Sequence, residues 1–400
     1  MKIFVVHNYY GSSAPSGENM AVDNEITLLK KHDHQVIVAA KKSDEIRSKG
    51  LRGTLTGAFS SVWNPMSKRE IARQLDKEKP DIVHVHNVFP LHSPSVFYGM
   101  KNIPVVYTLH NYRLGCAAGT ATRENTMCFE CFESRSVIPA LRYGCYRNSR
   151  IATVPMAASI ELYRLLKTWS SKVDAFITLT EFQRSVMQRF GLPPERIFVK
   201  PHFGNAPTMT IEWRKRENKI VFIGRLYEAK GIHFAVEAWK KMGENAPTLE
   251  IIGDGPLSVS LGQSVQSSRL SSKVIFSGQL PHEEAMKRLS AARMLLLPSL
   301  CPEGFPMVIH EAFSYGVPVA ASDAGSLRSL VNDGKTGILF SPGSSEQIAS
   351  RIMSVWNNPT MLRAMHKNTL EEFNNLFTAE KNHTLLMNIY TEAKKNNQKR

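Results

Sequence analysis

The 400-residue chain nowhere runs about 18 apolar residues in succession, so a membrane-spanning helix is not expected. Its opening Met1-Lys2-Ile3-Phe4-Val5-Val6 reaches the polar pair His7-Asn8 too soon for the apolar core of a secretory leader. The protein is therefore expected to stay in the cytoplasm. No period of 20 to 50 residues repeats along the chain, which excludes solenoids and propellers. Cysteine is scarce and odd in number, at five, which argues against a disulfide framework and leaves metal binding, catalysis or packing for the thiols. Acidic side chains are also short: 35 Asp and Glu face 50 Lys and Arg, for a net charge of +15.

What is present is ordinary and ample. Hydrophobic residues make up 42% and charged residues 21%, enough to bury two or three cores at about 100 to 200 residues per domain. The basic excess suggests an anionic partner, whether nucleic acid, an acidic lipid surface or a phosphorylated small molecule. It is uneven: residues 1–205 hold 27 basic and 17 acidic side chains, residues 206–400 hold 23 and 18.

Short β-branched runs alternate with amphipathic helical stretches in both halves, the pattern of an α/β protein with parallel sheets built from βαβ units. Strands are expected at Ile3–Val6, Gln35–Ala39, Asp81–His86, Val105–His110, Ala175–Leu179 and Ile197–Lys200. In the second half they are expected at Lys219–Ile223, Thr248–Ile252, Lys273–Phe276, Met294–Leu297, Val317–Ala320 and Gly337–Phe340. Pro201–Glu217 mixes Pro, Gly, Asn and charge without periodicity and reads as the linker. This divides the chain into 1–205, 206–375 and a terminal helix 376–400, whose stripe of Leu385, Leu386, Ile389 and Tyr390 is expected to return to the first domain. Two doubly wound domains in tandem would bind ligand outside their strand C-termini, in a cleft between them.

The most informative segment is Ser299-Leu-Cys-Pro-Glu-Gly-Phe-Pro-Met-Val-Ile-His-Glu-Ala-Phe. It follows an apolar strand, and Gly304 and Pro306 suit a tight turn into a helix opening near Met307. Glu303 then lies on the loop and Glu311 one turn inside the helix. Paired carboxylates can accept hydrogen bonds from the hydroxyls of a polyol, while N–H groups at a helix N-terminus meet an anion. Upstream, Arg225 and Lys230 occupy the loop after another strand, where two cations neutralise a pyrophosphate.

Gly224-Arg225-Leu226 with Lys230-Gly231, Gly253-Asp254-Gly255-Pro256, and Glu303-Gly304-Phe305-Pro306 through Glu311-Ala312 with Gly316-Val-Pro-Val resemble the donor half of the family 4 retaining glycosyltransferases. The resemblance implies the GT-B architecture, two facing Rossmann-like domains. It assigns hydroxyls of the transferred sugar to Glu303, the nucleotide ribose to Glu311 and the diphosphate to Arg225 and Lys230. The backbone from Gly304 and Phe305 through Pro306, Met307 and Val308 would touch sugar and phosphate. No Asp-x-Asp occurs, which argues against a diphosphate held through a divalent ion; no metal is expected in catalysis, and cationic side chains would stabilise the leaving group.

In the first half, Asn8–Asn19 is a Gly/Ser-rich turn ahead of a helix but not a Walker A loop; by the resemblance, Gly17 faces the donor. His110 ends a strand, where it reads either as a packed histidine or, by the resemblance, as a contact to the sugar. His84, His86 and Asn87 end the neighbouring strand. Cys116, Cys128, Cys131 and Cys145 read C-x11-C-x2-C-x13-C within 113–150, a stretch with little apolar periodicity. Two readings stand: a structural tetrahedral zinc ordering a loop without its own core, or four reduced packed thiols. A subset of the family resembles this chain in carrying such an insertion. Arg113, Arg123, Arg135, Arg142, Arg147 and Arg150, interleaved with Tyr143 and Tyr146, read either as a surface for a lipid diphosphate and anionic headgroups or as a solvated basic run.

The expected activity is retaining transfer of a sugar from a UDP- or GDP-linked donor to a lipid-linked or oligosaccharide acceptor in cell-surface glycan synthesis, at the inner face of a membrane. No nucleic-acid module is legible, and nucleic acid is not an expected partner. The alternatives are a GT-B nucleotide-sugar epimerase or phosphorylase, and a non-catalytic basic binding protein.

Overall fold

The computed structural model describes residues 1–11, 16–44, 57–207, 210–268 and 270–400. The chain forms two compact units. The first comprises Met1–Ala121, Cys128–Pro201 and Asn382–Arg400; the second comprises Thr122–Met127 and His202–Lys381. The main break thus falls after Pro201, inside the Pro/Gly-rich segment, and the terminal helix belongs to the first unit from Asn382 onward.

The first unit is built on a six-stranded parallel sheet of β1 (Lys2–Tyr9), β2 (Gln35–Lys42), β3 (Ile82–Asn87), β4 (Val105–Leu109), β5 (Ala175–Thr178) and β6 (Ile197–Val199), in the order β2-β1-β3-β4-β5-β6. Its inner strands are buried on both faces, as in a parallel sheet covered on both sides, while the edge strand β2 is partly exposed. The two-residue period of β1 divides its side chains: Phe4 and Val6 enter one core with Val83, Val85, Val105 and Tyr107, while Ile3 and Val5 enter the other with Ile82, Val106 and Ile177.

That second core is closed by α1 (Gly17–Lys31), through Val22, Ile26 and Leu29, and by the C-terminal helix Ala379–Lys399, through Leu386, Ile389, Tyr390 and Ala393. Burial of Leu386 and Ile389 contributes roughly 1.5–3 kcal/mol each. Leu385, expected in the stripe, is 37% exposed, and Ala393 completes the face instead, since 386, 389, 390 and 393 keep the helical spacing.

On the other face lies α2 (Arg150–Leu165), whose N-cap Ser149 accepts from the Ala152 N–H at 3.3 Å. The sequence pattern places this helix only from Ile160; Pro155 inside it and apolar residues on every side hide its first ten residues. The 113–150 stretch also differs from expectation. Its rings join the first-unit core: Phe129 and Phe132 pack with Tyr112 and Phe190 at centroid separations of 5.8–6.4 Å.

The second unit carries β7 (Lys219–Ile223), β8 (Thr248–Ile252), β9 (Val274–Gly278), β10 (Met294–Leu297), β11 (Val319–Ser322) and β12 (Gly337–Phe340), all parallel, in the order β9-β8-β7-β10-β11-β12. This is the Rossmann order, and the direction of winding reverses between β7 and β10. Among the described residues no helix is long and apolar enough to cross a membrane.

Candidate functional site

In an open α/β sheet the crevice outside the carboxyl ends of the strands at the winding reversal is the place for a ligand. In the second unit those ends are the loops after β7 and β10, and they carry Arg225, Lys230 and Glu303. Backbone contact brings the loops together. The Leu300 N–H donates to the Ala229 carbonyl at 2.8 Å, and a Cβ at position 231 would stand 1.9 Å from the Pro298 carbonyl oxygen. Only glycine permits that approach, and Gly231 is also at φ +67°.

The result is an ion pair: Lys230 Nζ lies 2.7 Å from Glu303 Oε1, which also accepts from Ser299 Oγ at 2.7 Å. Glu303 sits at φ +42°, a strained position for a residue with a side chain, and its carbonyl accepts from Ser326 Oγ at 3.1 Å. Burial pushes the Glu303 carboxyl up, but the Lys230 ammonium and these hydrogen bonds outweigh it and hold the group below the ordinary range. Burial likewise works against the Lys230 charge, yet Glu303 raises its pKa above the usual lysine value. Cys301 is buried next to this pair, and burial pushes its thiol up to about 12, so it is not a nucleophile at neutral pH. Arg225 is exposed, with its guanidinium 5.1 Å from the Tyr227 ring centroid.

Gly304 and Pro306 turn the chain into α3 (Met307–Ser314). The N-cap Pro306 offers no side-chain acceptor, which leaves first-turn N–H groups at Met307 and Val308 available to an anion. Phe305 is buried against His202, His310 and Phe377, so only its backbone can meet a ligand. Glu311 lies on α3 with His282 Nε2 3.6 Å away, and burial pushes its carboxyl up to about 7.

In the first unit Gly17 opens α1, with Ser16 accepting from the Asn19 N–H at 3.3 Å. Residues 12–15 of the Gly/Ser-rich turn lie outside the described residues. His110, just after β4, places Nε2 3.0 Å from His86 Nδ1; His86 Nε2 is 3.4 Å from Glu25 Oε1, and Lys200 Nζ is 2.7 Å from Glu25 Oε2. His84 also reaches Glu25 Oε1, at 3.2 Å, and bonds Tyr390 of the C-terminal helix at 2.8 Å.

Glu25, His84 and His86 have metal-ligand spacing, but Lys200 already supplies the cation, so the group is a buried ion-pair network. Glu18, next to Gly17, accepts from Asn111 Nδ2 at 3.4 Å, and burial pushes its carboxyl up to about 7. Glu18, Glu25 and Lys200 were not singled out from sequence. The available signal was a carboxylate at position 25 between Val22, Ile26 and Leu29, on the buried face of its helix.

Cys116, Cys128, Cys131 and Cys145 are half-buried and form no disulfide. Burial pushes the Cys131 thiol up to about 12, with smaller contributions from the other three thiols. The donors suit zinc chemically. Yet Cys116, Cys131 and Cys145 also pack against the first-unit core, and the only triad of ligand atoms within 4.8 Å among the described residues is Glu25, His84 and His86. Arg113, expected in a docking surface, instead braces the 116–119 turn, donating to the Ala117 and Ala118 carbonyls at 3.2 and 3.3 Å.

The architecture has solved counterparts. Anabaena Alr3699/HepE, crystallised in complex with UDP, superposes with a TM-score of 0.66 at 16% identity, covering 98% of this chain and 100% of that one. The two Rossmann-like units are those of the GT-B fold. The chain matches Glycosyltransferase Family 4 over residues 16–203 and Glycosyl transferases group 1 over residues 210–372, and it belongs to this glycosyltransferase family. A 2-deoxystreptamine glucosyltransferase of Streptomyces kanamyceticus is 24% identical over 332 residues, 78% of each chain. An O-antigen chain mannosyltransferase C of Escherichia coli is 27% identical over 183 residues, 45% of this chain and 48% of that one.

Proposed function

We propose that the protein is a retaining glycosyltransferase that moves a hexose from a UDP- or GDP-linked donor to a lipid-linked or oligosaccharide acceptor in cell-surface polysaccharide or lipopolysaccharide synthesis. The observation that carries this reading is the Lys230–Glu303 pair at the winding reversal, beside the open N-terminus of α3 and the Glu311 carboxyl. Arg225, Lys230 and the α3 N–H groups present positive charge to a diphosphate, and Glu303 and Glu311 present acceptors to sugar and ribose hydroxyls.

In the reaction, the glycosidic bond to the diphosphate breaks and negative charge collects on the departing phosphate. Arg225 and Lys230, held in place before the donor arrives, favour that state without a divalent ion. The acceptor oxygen attacks from the face the phosphate leaves, and the phosphate takes its proton, so the anomeric configuration is kept. His110 is assigned a contact to the transferred sugar, and Gly17 and the turn before it a contact to the donor.

The four cysteines are proposed as a structural zinc site in the insertion, away from the chemistry. The cytoplasmic face of an anionic membrane is the proposed place of work. The test is a panel of nucleotide sugars offered with lipid and oligosaccharide acceptors in the presence of chelator. Transfer with retained configuration from one of them supports the reading. Isomerised donor without acceptor, or binding to nucleic acid or liposomes with no nucleotide-sugar turnover, overturns it.

A further inference from the structure

Helix α2 has an outer face that a helix packed on a sheet normally lacks. Its inward side, with Met156, Ala157, Ile160 and Tyr163, joins the first-unit core, and Ser159 and Tyr163 donate to the Ser61 and Val62 carbonyls at 3.0 and 2.6 Å. Those bonds fix the rotation of the helix. The opposite side should then be polar. Instead the positions 3, 7 and 14 residues beyond Ile151 are Val154, Ala158 and Leu165. Ile151 is 87% exposed, Leu165 70% and Val154 54%, and Ile138, on the neighbouring helix Ile138–Tyr143, is 71% exposed. At 1.5 Å per residue the stripe runs about 21 Å.

Its surroundings are cationic. Residues 135–172 hold seven arginines and lysines against a single acid, Glu161. That acid is already engaged, by Arg164 Nε at 2.7 Å and the Val137 N–H at 2.9 Å. Arg142, Arg147 and Arg150 are exposed near the start of α2, and Arg150 Nε donates to the Arg142 carbonyl at 3.1 Å. Arg164 and Lys167 are exposed at its other end.

We infer that α2 docks the protein on a lipid bilayer rich in anionic headgroups, lying in the interface with Ile151, Val154 and Leu165 among the acyl chains and the cationic ends among the phosphates. An apolar stripe with cations at both ends matches a bilayer, whose apolar interior is bounded by charged headgroups. A second copy of this chain would bring the same cations against themselves. The surface lies wholly in the first unit, so its test is independent of the donor chemistry.

The experiment is sedimentation of the full chain with vesicles of phosphatidylcholine alone and with about one third phosphatidylglycerol. The wild type should pellet with the anionic vesicles and be released by salt. The Ile151→Glu, Leu165→Glu double variant should bind at least about tenfold more weakly, with unchanged thermal midpoint and unchanged transfer to a soluble acceptor. Arg147→Ser with Arg150→Ser should weaken binding to the anionic vesicles alone. Failure of the wild type to pellet, equal pelleting by the double variant, or a wild-type dimer that Ile151→Glu dissociates would overturn the inference.

Discussion

The Lys230 ammonium and the Glu303 carboxylate lie 2.7 Å apart across two loops that leave β7 and β10 on either side of the winding reversal. Each holds the other charged against burial. On the proposed function, a donor diphosphate reaching Lys230 would meet a cation already formed and already positioned, avoiding the reorganisation that water would require.

Replacement of Glu303 by Gln keeps the shape and the Ser299 contact but removes the charge. Transfer should fall by roughly two orders of magnitude, the scale expected when one preorganised transition-state contact is lost. The thermal midpoint should move little. Steady-state turnover beside a melting curve checks this, and unchanged turnover counts against the assignment.

Glu311 gives a pH dependence of definite sign. Burial pushes its carboxyl up to about 7, so below that value it is protonated and a poorer acceptor for ribose hydroxyls. Nucleotide affinity should therefore rise as pH increases through about 7, and Glu311→Gln should flatten the profile. Stability responds in the opposite sense. Between the ordinary carboxylate range and about 7 the folded chain holds a proton that the unfolded chain has released, so this group's contribution falls as pH rises. Calorimetric titration of nucleotide across pH checks the binding profile.

Lys200 is buried and paired to Glu25 at 2.7 Å, with Asn382 Oδ1 accepting from it at 3.0 Å. Lys200→Met leaves Glu25 buried without its main counter-charge and should cost about 3–5 kcal/mol. Pairing it with Glu25→Leu should restore most of the loss. Urea denaturation of the three proteins decides.

The proposed zinc site predicts about one equivalent of metal in protein purified without added zinc, and loss of insertion order on chelation. Elemental analysis giving fewer than about 0.5 equivalents with full activity leaves the four cysteines as packed, reduced thiols.

The parallel strands were legible because each is a short apolar run bounded by turn residues, and the turn into α3 because Gly304 and Pro306 lie on one continuous segment between Glu303 and Glu311. Where contacts join distant segments the sequence was silent. Nothing local links Lys200 to Glu25, 175 residues away, or Phe132 to Phe190, whose ring contact ties the insertion to the first-unit core. Helix α2 was hidden by Pro155 and by apolar residues on both of its faces, and the outer face makes sense only once the inner one is seen to be occupied. Arg113 looked like its neighbours in a basic run, but its guanidinium is turned inward to two carbonyls.

In the proposed function Arg225 and Lys230 hold a nucleotide diphosphate in the second unit. Isothermal titration of UDP and of GDP into the wild type and Arg225→Ala tests it most directly. One of the two nucleotides should bind the wild type without added metal, and should bind Arg225→Ala at least about tenfold more weakly, the loss expected of a charge-assisted hydrogen bond. Binding of neither nucleotide to the wild type, or equal affinity in the variant, would contradict it.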